Sequence, residues 1–510
     1  MSEPVAAVSG QARLPEASTG PPRRWWILAV VGLAQLMVVL DATIVNIALP
    51  SAQHALGFST ADRQWVVTAY SLAFGGLLLL GGRLSDLVGR RRMLIIGLVG
   101  FAAASALGGA ATSFATLVIG RGAQGAFGAM LAPAALSTLT VTFTDPAERG
   151  KAFGVYGAIA GAGGAVGLLL GGLLTEYLSW RWCLYVNVAL AVVAVMGAVR
   201  LLAAHPRDPD VHIDWPGTVL VVAGLVGVVY GLSEAETKGW GAPTTLALLA
   251  AGVVLLVVFV LVERRVPHPL LPLRIVLNRF RGGSYLAIGL SAISIFGIFL
   301  FLTYYLQLTL AYSPLKTGLA FLPQVVAIMV ASTTASGLLM PRVGPRPLVP
   351  AGMLITAGGL VILAAELGLH TSYPGWILPA LLLTGLGLGL VFGCAMNTAT
   401  YGAGAADAGV ASALVNTNQQ VGGSIGTALL NTLAASALTS YVLAHGRSPL
   451  VLAQAAVHSY VVGFWVSAAI LAGAAVVCGL ILPSGTLRPA TGPSSMPAAR
   501  PREEMSARAS

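Results

Sequence analysis

The chain has 510 residues, of which 56% are hydrophobic and only 9% are charged, and its mean hydropathy is +0.85. Soluble domains average about 45–50% apolar and about 25% charged residues, so this composition excludes a soluble globular protein and indicates a polytopic membrane protein. The net charge of +10 does not indicate nucleic-acid binding, because the basic residues lie in short connections between apolar stretches and form no basic, aromatic face.

Apolar stretches follow one another along the chain, each long enough to cross about 30 Å of hydrocarbon as a helix of about 20 residues. The first eight predicted helices span 25–48, 64–82, 93–112, 115–136, 151–174, 183–204, 216–233 and 244–262. Six more are predicted at 284–307, 317–340, 348–367, 375–400, 409–432 and 458–482. The predicted fold class is an all-α polytopic membrane protein with 14 transmembrane helices.

The positive charges concentrate on one side of this arrangement. With the N-terminus inside, the cytoplasmic connections hold Arg13, Arg23, Arg24, Arg83, Arg90, Arg91, Arg92, Arg149, Lys151, Arg200, Arg207, Arg264, Arg265, Arg274, Arg279, Arg281, Arg342 and Arg346. Only Arg63, Arg181, Lys238, Lys316 and Arg447 fall outside. Cytoplasmic connections carry an excess of Lys and Arg, so both termini are predicted in the cytoplasm and the protein in the cytoplasmic membrane. The polar ends, 1–24 and 484–510, are predicted to be disordered cytoplasmic tails.

Two charged residues lie inside apolar helices, Asp41 in the first and Arg121 in the fourth. A charge at the bilayer centre costs about 2.5–3.5 kcal/mol on insertion scales, so an unpaired Asp41 is expected either to face a wet cavity or to hold a proton. Arginine cannot lose its charge; close to an acid it favours the ionised form, and moving it away favours the protonated form. We predict that Asp41 and Arg121 couple proton movement to conformation.

A structural alternative exists for both residues. Asp41 then caps a break near the outer end of its helix, and Arg121 only bonds to backbone carbonyls. The distance between them does not follow from the sequence.

The connection between the second and third helices is short and highly charged. It runs Gly82-Arg83-Leu84-Ser85-Asp86-Leu87-Val88-Gly89-Arg90-Arg91-Arg92. Glycines permit close backbone approach, and charges can bond across helix ends. We predict a conformational latch formed by Gly82, Asp86, Gly89, Arg90 and Arg91; the alternative is an ordinary positive cytoplasmic loop.

Two sets of residues recur at a constant offset. Gly337, Leu339, Gly344 and Arg346 match Gly82, Leu84, Gly89 and Arg91, with Pro341 where Asp86 would stand. Gly409, Gly422, Gly423 and Gly426 match Gly150, Gly163, Gly164 and Gly167. Chance is the alternative for either set alone in a glycine-rich chain. Together they predict two six-helix bundles, 25–204 and 264–483, with residues 205–263 forming a linker and two inserted helices.

Several polar side chains in apolar helices suit a cavity for large, mostly hydrophobic solutes. The candidates are Gln124, Tyr304, Tyr305, Gln307, Asn416, Gln419 and Gln420. Amides offer hydrogen bonds without a fixed charge. Bonding between helices is the alternative role of these groups.

The latch spacing resembles the signature loop of the major facilitator superfamily, Gly-x-Leu-x-Asp-x-x-Gly-Arg-[Arg/Lys]. Residues 40–50, Leu-Asp-Ala-Thr-Ile-Val-Asn-Ile-Ala-Leu-Pro, resemble the first-helix motif of its fourteen-helix drug/proton antiporters, and 121–125 resemble the fourth-helix motif whose arginine is implicated in proton coupling. Residues 409–422 resemble the family pattern Gly-x-Ala-Ser-x-x-Asn-x-x-Gln-Gln-x-Gly. The resemblance covers nearly the whole chain and implies export by alternating access.

The fifth predicted helix resembles the antiporter motif of that family, Gly-x(8)-Gly-x(3)-Gly-Pro-x(2)-Gly-Gly. The matching residues are Gly154, Gly163, Gly167, Gly171 and Gly172. Leu168 replaces the proline that shapes the helix bend in the family.

Other reaction classes lack their motifs. The chain has no Gly-x(4)-Gly-Lys-[Ser/Thr] loop, and its seven histidines and three cysteines form no metal-ligand pattern. No cofactor, metal or nucleophilic catalytic group is therefore predicted, and the protein is not expected to be an enzyme. The energy source left is the proton gradient and membrane potential, the electrical part worth about 2.3 kcal/mol per charge per 100 mV.

We therefore predict a monomeric, proton-driven exporter of an antibiotic, dye or other lipophilic organic compound. Its partners are that compound, protons and the lipid bilayer, with no nucleic acid. The alternatives are a proton-coupled uptake symporter for a small solute and a membrane-embedded enzyme or lipid-handling protein.

Overall fold

The computed structural model of the chain describes residues 23–58, 62–203, 214–267, 269–404 and 407–486, within which all regular structure is helical. The first eight helices are α1 (Arg23–Leu56), α2 (Arg63–Val88), α3 (Arg90–Gly109), α4 (Phe114–Thr142), α5 (Pro146–Tyr177), α6 (Trp182–Leu201), α7 (Trp215–Lys238) and α8 (Pro243–Glu263). They are followed by α9 (Leu273–Leu277), α10 (Arg279–Tyr304), α11 (Pro314–Thr334), α12 (Met340–Val343), α13 (Pro345–Glu366), α14 (Leu378–Ala399), α15 (Ala408–His445) and α16 (Pro449–Ile481). Short π-helical turns at Tyr305–Thr309, Ala335–Leu339 and Tyr373–Ile377 adjoin α10, α11 and α14.

The predicted 14-helix fold class is confirmed. Thirteen helices of the described residues are long and apolar enough to cross a membrane, and the bent α5 supplies a fourteenth span. Several helices exceed their predicted lengths: α1 reaches Leu56, α15 reaches His445 and α16 starts at Pro449. Hydropathy detects only the segment in lipid, whereas the helix continues through more polar residues at either end.

Some predicted segments fall outside the described residues. These are the tails at 1–24 and 484–510, except for 23–24 and 484–486, the last residue of the sixth predicted helix at 204, and the start of the linker at 205–213. Arg23 and Arg24, assigned to the N-terminal tail from the sequence, are instead helical and begin α1.

The helices form two six-helix bundles, α1–α6 and α10–α16 with the short α12 continuing α11. Equivalent hydrogen bonds close the two bundles. Arg23 at the start of α1 donates to the carbonyl of Leu201 at the end of α6, at 3.0 Å. Arg279 at the start of α10 donates to the carbonyl of Leu480 near the end of α16, at 3.1 Å. This equivalence supports the internal repeat inferred from the sequence.

The inserted pair lies beside the bundles. Helix α7 packs on α8, on α2 of the first bundle and on α15 of the second. Thr68 of α2 and Ser233 of α7 share a hydrogen bond of 3.1 Å, and Trp240 donates to Thr432 of α15 at 3.0 Å. Helix α7 therefore touches both bundles.

Helix α5 is bent by 47° between Pro146–Gly161 and Val166–Tyr177. The family pattern has a proline at the position of Leu168, but the bend forms without it. Gly163 and Gly164 lie in the break, and glycine pairs are a recognised cause of sharp helix kinks. The departure from the family pattern at Leu168 therefore leaves the bend in place.

Small residues set the distance between helices, as is usual where lipid surrounds the protein. A methyl group built on Gly359 of α13 would lie 2.7 Å from Thr384 Cγ2 and 2.8 Å from the carbonyl oxygen of Ala380, both on α14. A methyl group on the neighbouring Gly358 would meet nothing within 4 Å.

Replacing each of these neighbouring glycines by alanine should change the stability of the protein in opposite directions. We expect Gly359→Ala to lower the thermal unfolding midpoint in detergent, since overpacking a close helix contact costs about 1–3 kcal/mol. Gly358→Ala is the matched control; it should leave the midpoint unchanged or raise it, because alanine favours helix more than glycine. Equal midpoints for the two variants would contradict the α13–α14 packing.

Candidate functional site

The two charged residues predicted in apolar helices lie in contact. Arg121 Nη1 is 2.5 Å from Asp41 Oδ2, and the residues are 1% and 0% exposed. The sequence predicted a functional role for each residue but not their distance. In the structure their contact links α1 to α4. The pair forms the centre of the candidate site.

Both oxygens of Asp41 accept hydrogen bonds. Besides Arg121 on Oδ2, Gln124 Nε2 donates to Oδ1 at 3.0 Å and Asn187 Nδ2 of α6 donates to the same oxygen at 2.9 Å. Gln124 also accepts from Arg121 Nη1 at 2.9 Å and donates to Ser105 Oγ of α3 at 2.6 Å. A buried charge pair is tolerated when its remaining atoms are hydrogen bonded in this way.

Arg121 has further contacts on α2. Its Nε donates to the carbonyl of Val66 at 3.2 Å, and its guanidinium carbon lies 4.4 Å from the centre of the Tyr70 ring, a cation–π contact. The structural alternative for Arg121, bonding to a backbone carbonyl, therefore occurs together with the ion pair.

Local sequence explains why these groups converge. Arg121 and Gln124 are three residues apart and so share one face of α4. Gly125 beside them packs directly against the backbone of Tyr70, and Gly120 against Gly108 of α3. Side chains at these glycines would hold α2 and α3 away from the pair.

Apolar side chains close the outer side of the pair. A void of about 10 Å³ beyond Asp41 has an entirely apolar lining: Val45, Ala48, Leu49, Ala52, Val66, Leu117, Trp180 and Leu184. These residues lie between Asp41 and the ends of α1, α2, α4 and α6 on the predicted outer face. Asp41 is therefore separated from that face by hydrocarbon side chains.

The predicted latch lies at the opposite face and bridges the bundles. Asp86 Oδ1 accepts from the backbone N–H of Gly409 at the start of α15, at 3.1 Å. A methyl group on Gly82 would lie 2.7 Å from the carbonyl oxygen of Gly409, so the backbones of α2 and α15 are in direct contact. Arg90 Nη2 lies 3.7 Å from Asp86, and its Nε donates to Ser137 at 2.7 Å.

The other latch residues act within single bundles. Gly89 joins α2 to α3 with φ +94°, a conformation that favours glycine. Its repeat partner Gly344 joins α12 to α13 with φ +77°. Arg91 donates to the carbonyl of Val199 at 3.0 Å, and its repeat equivalent Arg346 donates to that of Gly479 at 3.1 Å.

A second contact between the bundles mirrors the first. Gly150 of α5 packs directly on the carbonyl of Ser336, and a methyl group on it would lie 3.2 Å from Gly337 Cα. Gly150 is the repeat partner of Gly409, and Gly337 that of Gly82. Gly82 contacts Gly409 at one place in the interface, and their repeat partners Gly337 and Gly150 contact each other at the other place.

Arg149 reinforces this second contact. It is buried, its Nε donates to Asn397 Oδ1 at 3.0 Å and its Nη2 to Thr400 Oγ1 at 2.8 Å, both at the end of α14. Its guanidinium also lies over the Phe153 ring at 4.4 Å. Burial raises the pKa of the nearby Tyr401 hydroxyl, and the positive charge of Arg149 opposes this shift. We call the contacts of Arg149 with Asn397 and Thr400 the arginine clasp.

The glycines of the fifth-helix motif serve two interfaces. A methyl group on Gly154 would lie 2.7 Å from Thr333 Cα of α11, in the other bundle. Gly163, Gly167 and Gly171 instead face α1, at Val39, Leu40 with Thr43, and Ile44 respectively. Gly172 is buried.

The residues predicted to line a substrate cavity do not form one cluster with Asp41, apart from Gln124. Tyr304 is 44% exposed at the end of α10, and Gln307, Gln419 and Gln420 are half-buried. The buried Tyr305 donates to the carbonyl of Gly368 at 2.8 Å, and Asn416 to that of Ser412 at 3.0 Å. The Tyr305 bond reaches the connection after α13 and the Asn416 bond stays within α15, so neither is the bond between helices that was the alternative role.

Comparison with known proteins agrees with this architecture. The family model described as Major Facilitator Superfamily matches residues 31–427. The chain belongs to the major facilitator superfamily. The puromycin resistance protein of Streptomyces alboniger is 52% identical over 95% of this chain and 97% of its own. The cephamycin export protein of Amycolatopsis lactamdurans is 40% identical over 80% of this chain and 85% of its own.

A solved structure shares the fold. The human organic anion transporter MFSD10 aligns with a TM-score of 0.57, covering 89% of this chain and 100% of its own, at 17% identity. At that identity the likeness concerns the fold alone. The protein is thus a multi-pass transporter of the cytoplasmic membrane with the superfamily architecture.

The sequence did not single out three side chains around the ion pair, namely Asn187, Ser105 and Tyr70. Asn187 is the one amide in the apolar α6, and its polarity within that helix was an available signal. Ser105 and Tyr70 have no such distinction in sequence. Arg149 was counted only as a cytoplasmic charge, although it adjoins the repeated Gly150.

The described residues contain no group of three or more His, Cys, Asp or Glu side chains placed to hold a metal ion. The polar groups at the site are instead arranged around one carboxylate and one guanidinium.

The arginine clasp predicts a shift in conformation when it is removed. Arg149→Gln takes away a charge that donates to Asn397 and Thr400, and hydrogen bonds of charged groups contribute about 1.5–3 kcal/mol each. We expect the closed population at this face to fall at least about tenfold relative to open forms, because a loss of about 1.4 kcal/mol already corresponds to a factor of ten. Spin labels at positions 147 and 404 would report a longer distance by electron–electron double resonance; Gly404 is exposed and a side chain there would meet nothing within 4 Å.

Arg279→Gln is the matched control, because Arg279 bonds within one bundle only. It should leave the distance distribution unchanged. An unchanged distribution in Arg149→Gln as well would rule out a contribution of the clasp to closure.

Proposed function

We propose that this protein exports a lipophilic organic compound, such as an antibiotic or dye, across the cytoplasmic membrane in exchange for protons. The observation that carries the proposal is the buried contact of Asp41 with Arg121. The two bundles would alternate access to a substrate site between them, with both termini in the cytoplasm. One chain supplies every group of the site, which supports a monomer as the working unit.

Proton binding follows from the chemistry of the pair. Arg121 stays charged, so only Asp41 can take up a proton there, and doing so removes the attraction between α1 and α4. Protonation therefore loosens a contact that joins two helices of one bundle. A gradient of protons can drive a conformational cycle through such a group.

Direction and substrate class rest on the relatives. Two are named for puromycin resistance and for cephamycin export, and both align over most of their length with this chain. The glycine register of α5 also favours export over uptake, because it resembles the antiporter motif. No chemical step on the transported compound is proposed.

Asp41→Asn tests the coupling role. The amide oxygen can still accept from Arg121, so the protein should reach the membrane, but the side chain no longer takes up a proton. We expect proton-driven dye accumulation in inverted membrane vesicles to fall at least about a hundredfold, to background. Glu176→Gln, which removes an exposed acid of α5, should transport normally. Normal dye export by the Asp41→Asn variant would contradict a role of Asp41 in proton coupling.

Resistance measurements test direction, energy source and substrate together. Expression in a pump-deficient host should raise the inhibitory concentration of at least one lipophilic antibiotic or dye severalfold. An uncoupler should abolish the accompanying efflux, since one proton crossing 100 mV contributes about 2.3 kcal/mol. Increased sensitivity of the host, or uptake that an uncoupler stops, would favour a symporter instead.

A further inference from the structure

Two amide side chains donate to the same oxygen of Asp41 but differ in how they are held. Gln124 is fixed at both ends, because its Oε1 accepts from Arg121 and its Nε2 also donates to Ser105. Turning this amide over would place its two N–H donors against the donors of Arg121 and would break the bond from its Nε2 to Asp41. Gln124 therefore has one workable orientation.

Asn187 is held at one end only. Its Nδ2 donates to Asp41 Oδ1 at 2.9 Å, whereas its Oδ1 is fully buried and has no hydrogen-bond partner. A buried acceptor without a partner costs about 1–3 kcal/mol and calls for an explanation. A half-turn of this amide about its terminal torsion therefore breaks no hydrogen bond at its oxygen end.

An ionised and a protonated carboxyl make different demands on that amide. The ionised form only accepts, and the Nδ2 of Asn187 satisfies it. The protonated form has an O–H that needs an acceptor. The other titratable or charged groups facing Asp41 are Arg121, Tyr70 and Cys183. Arg121 offers donors only and the Cys183 thiol is a weak acceptor, while the Tyr70 hydroxyl, which also lacks a partner, makes no hydrogen bond with Asp41. The unpartnered Oδ1 of Asn187 belongs to an amide that already bonds to Asp41, so it is the acceptor closest at hand.

We propose that the Asn187 amide turns over when Asp41 takes up a proton, donating from Nδ2 to the ionised acid and accepting at Oδ1 from the protonated acid. The proton stays on the Asp41 carboxyl throughout, and the only bonds exchanged are hydrogen bonds. Asn187 is a positioning residue that keeps α6 attached to Asp41 in both charge states while Arg121 is released in one of them. This inference rests on the proposed proton site at Asp41.

Infrared difference spectroscopy of the purified full chain across a pH step tests the turnover. The carbonyl band of protonated Asp41 is assigned by its disappearance in Asp41→Asn. In Asn187→Leu, of similar size but without hydrogen bonding, we expect this band to move to higher frequency because the O–H loses its acceptor. Asn187→Ser, whose hydroxyl both donates and accepts, should return the band at least halfway.

The pH midpoint of the same band separates the turnover from a simple donor role. If Asn187 serves both charge states, Asn187→Leu removes a bond from each, and the midpoint should move by less than about half a pH unit. If it serves only the ionised form, losing the donor favours protonation, and the midpoint should rise by about one unit or more. Val192→Ala, on the lipid-exposed face of α6, is the control and should leave band and midpoint unchanged.

The outcomes are distinguishable. A parent protein without an Asp41-dependent band would overturn the proposed proton site itself. A band present in the parent but unshifted in Asn187→Leu, or a midpoint raised by a full unit, would overturn the turnover and leave the proton site standing.

Discussion

An ion pair with no solvent exposure constrains this structure more than any other interaction. Removing one partner from a buried pair costs about 3–5 kcal/mol, so Asp41 and Arg121 must be held together and their remaining atoms bonded. The bonds come from Gln124 beside Arg121, from Val66 of α2 and from Asn187 of α6. Four helices of one bundle therefore meet at this ion pair, and a proton on Asp41 would weaken the contact among them.

The contacts between the bundles use the same chemistry with opposite signs. At one, the acid Asp86 meets the N-terminus of α15, where unpaired N–H groups carry partial positive charge. At the other, Arg149 meets the C-terminal end of α14, where the carbonyls carry partial negative charge. Proline at 341, in place of an acid, leaves the second bundle without a carboxylate contact of this kind. The arginine clasp, which joins α5 to the end of α14, is the charged contact beside the equivalent glycine contact. The two halves of the repeat therefore share the glycine backbone contact, but one uses an acid and the other an arginine beside it.

The sequence was sufficient for the fold and for single residues of the site, and insufficient for their contacts. The length of an apolar stretch identifies each membrane span, because the hydrocarbon thickness sets the number of residues needed. Helices α1 and α15 continue beyond their apolar stretches, and hydropathy gives no signal there. Asp41 and Arg121 were predicted from the cost of burying charge; their contact depends on how α1 and α4 cross, which no local pattern encodes. Asn187 was missed because a single amide has many possible roles. The bend of α5 stayed open in the sequence because Leu168 stands where the family pattern has its proline.

Helix α5 connects the interface with the charge pair. Near its N-terminus Gly150 and Gly154 lie on α11 and the π-helical turn that follows it in the other bundle. Beyond the bend Gly167 lies on α1 at the level of Asp41, between Leu40 and Thr43, and Gly171 lies about one turn further along α1. Asp41 is itself closed from the predicted outer face by apolar side chains and has no exposed surface in this conformation. If Asp41 is the proton site, as proposed, its exchange with water requires helix movement, and a site that exchanges only during movement would not leak protons between cycles. Because α5 touches both the opposite bundle and the helix of Asp41, a change in its bend would move both together, and this is the mechanical link that the proposed coupling requires.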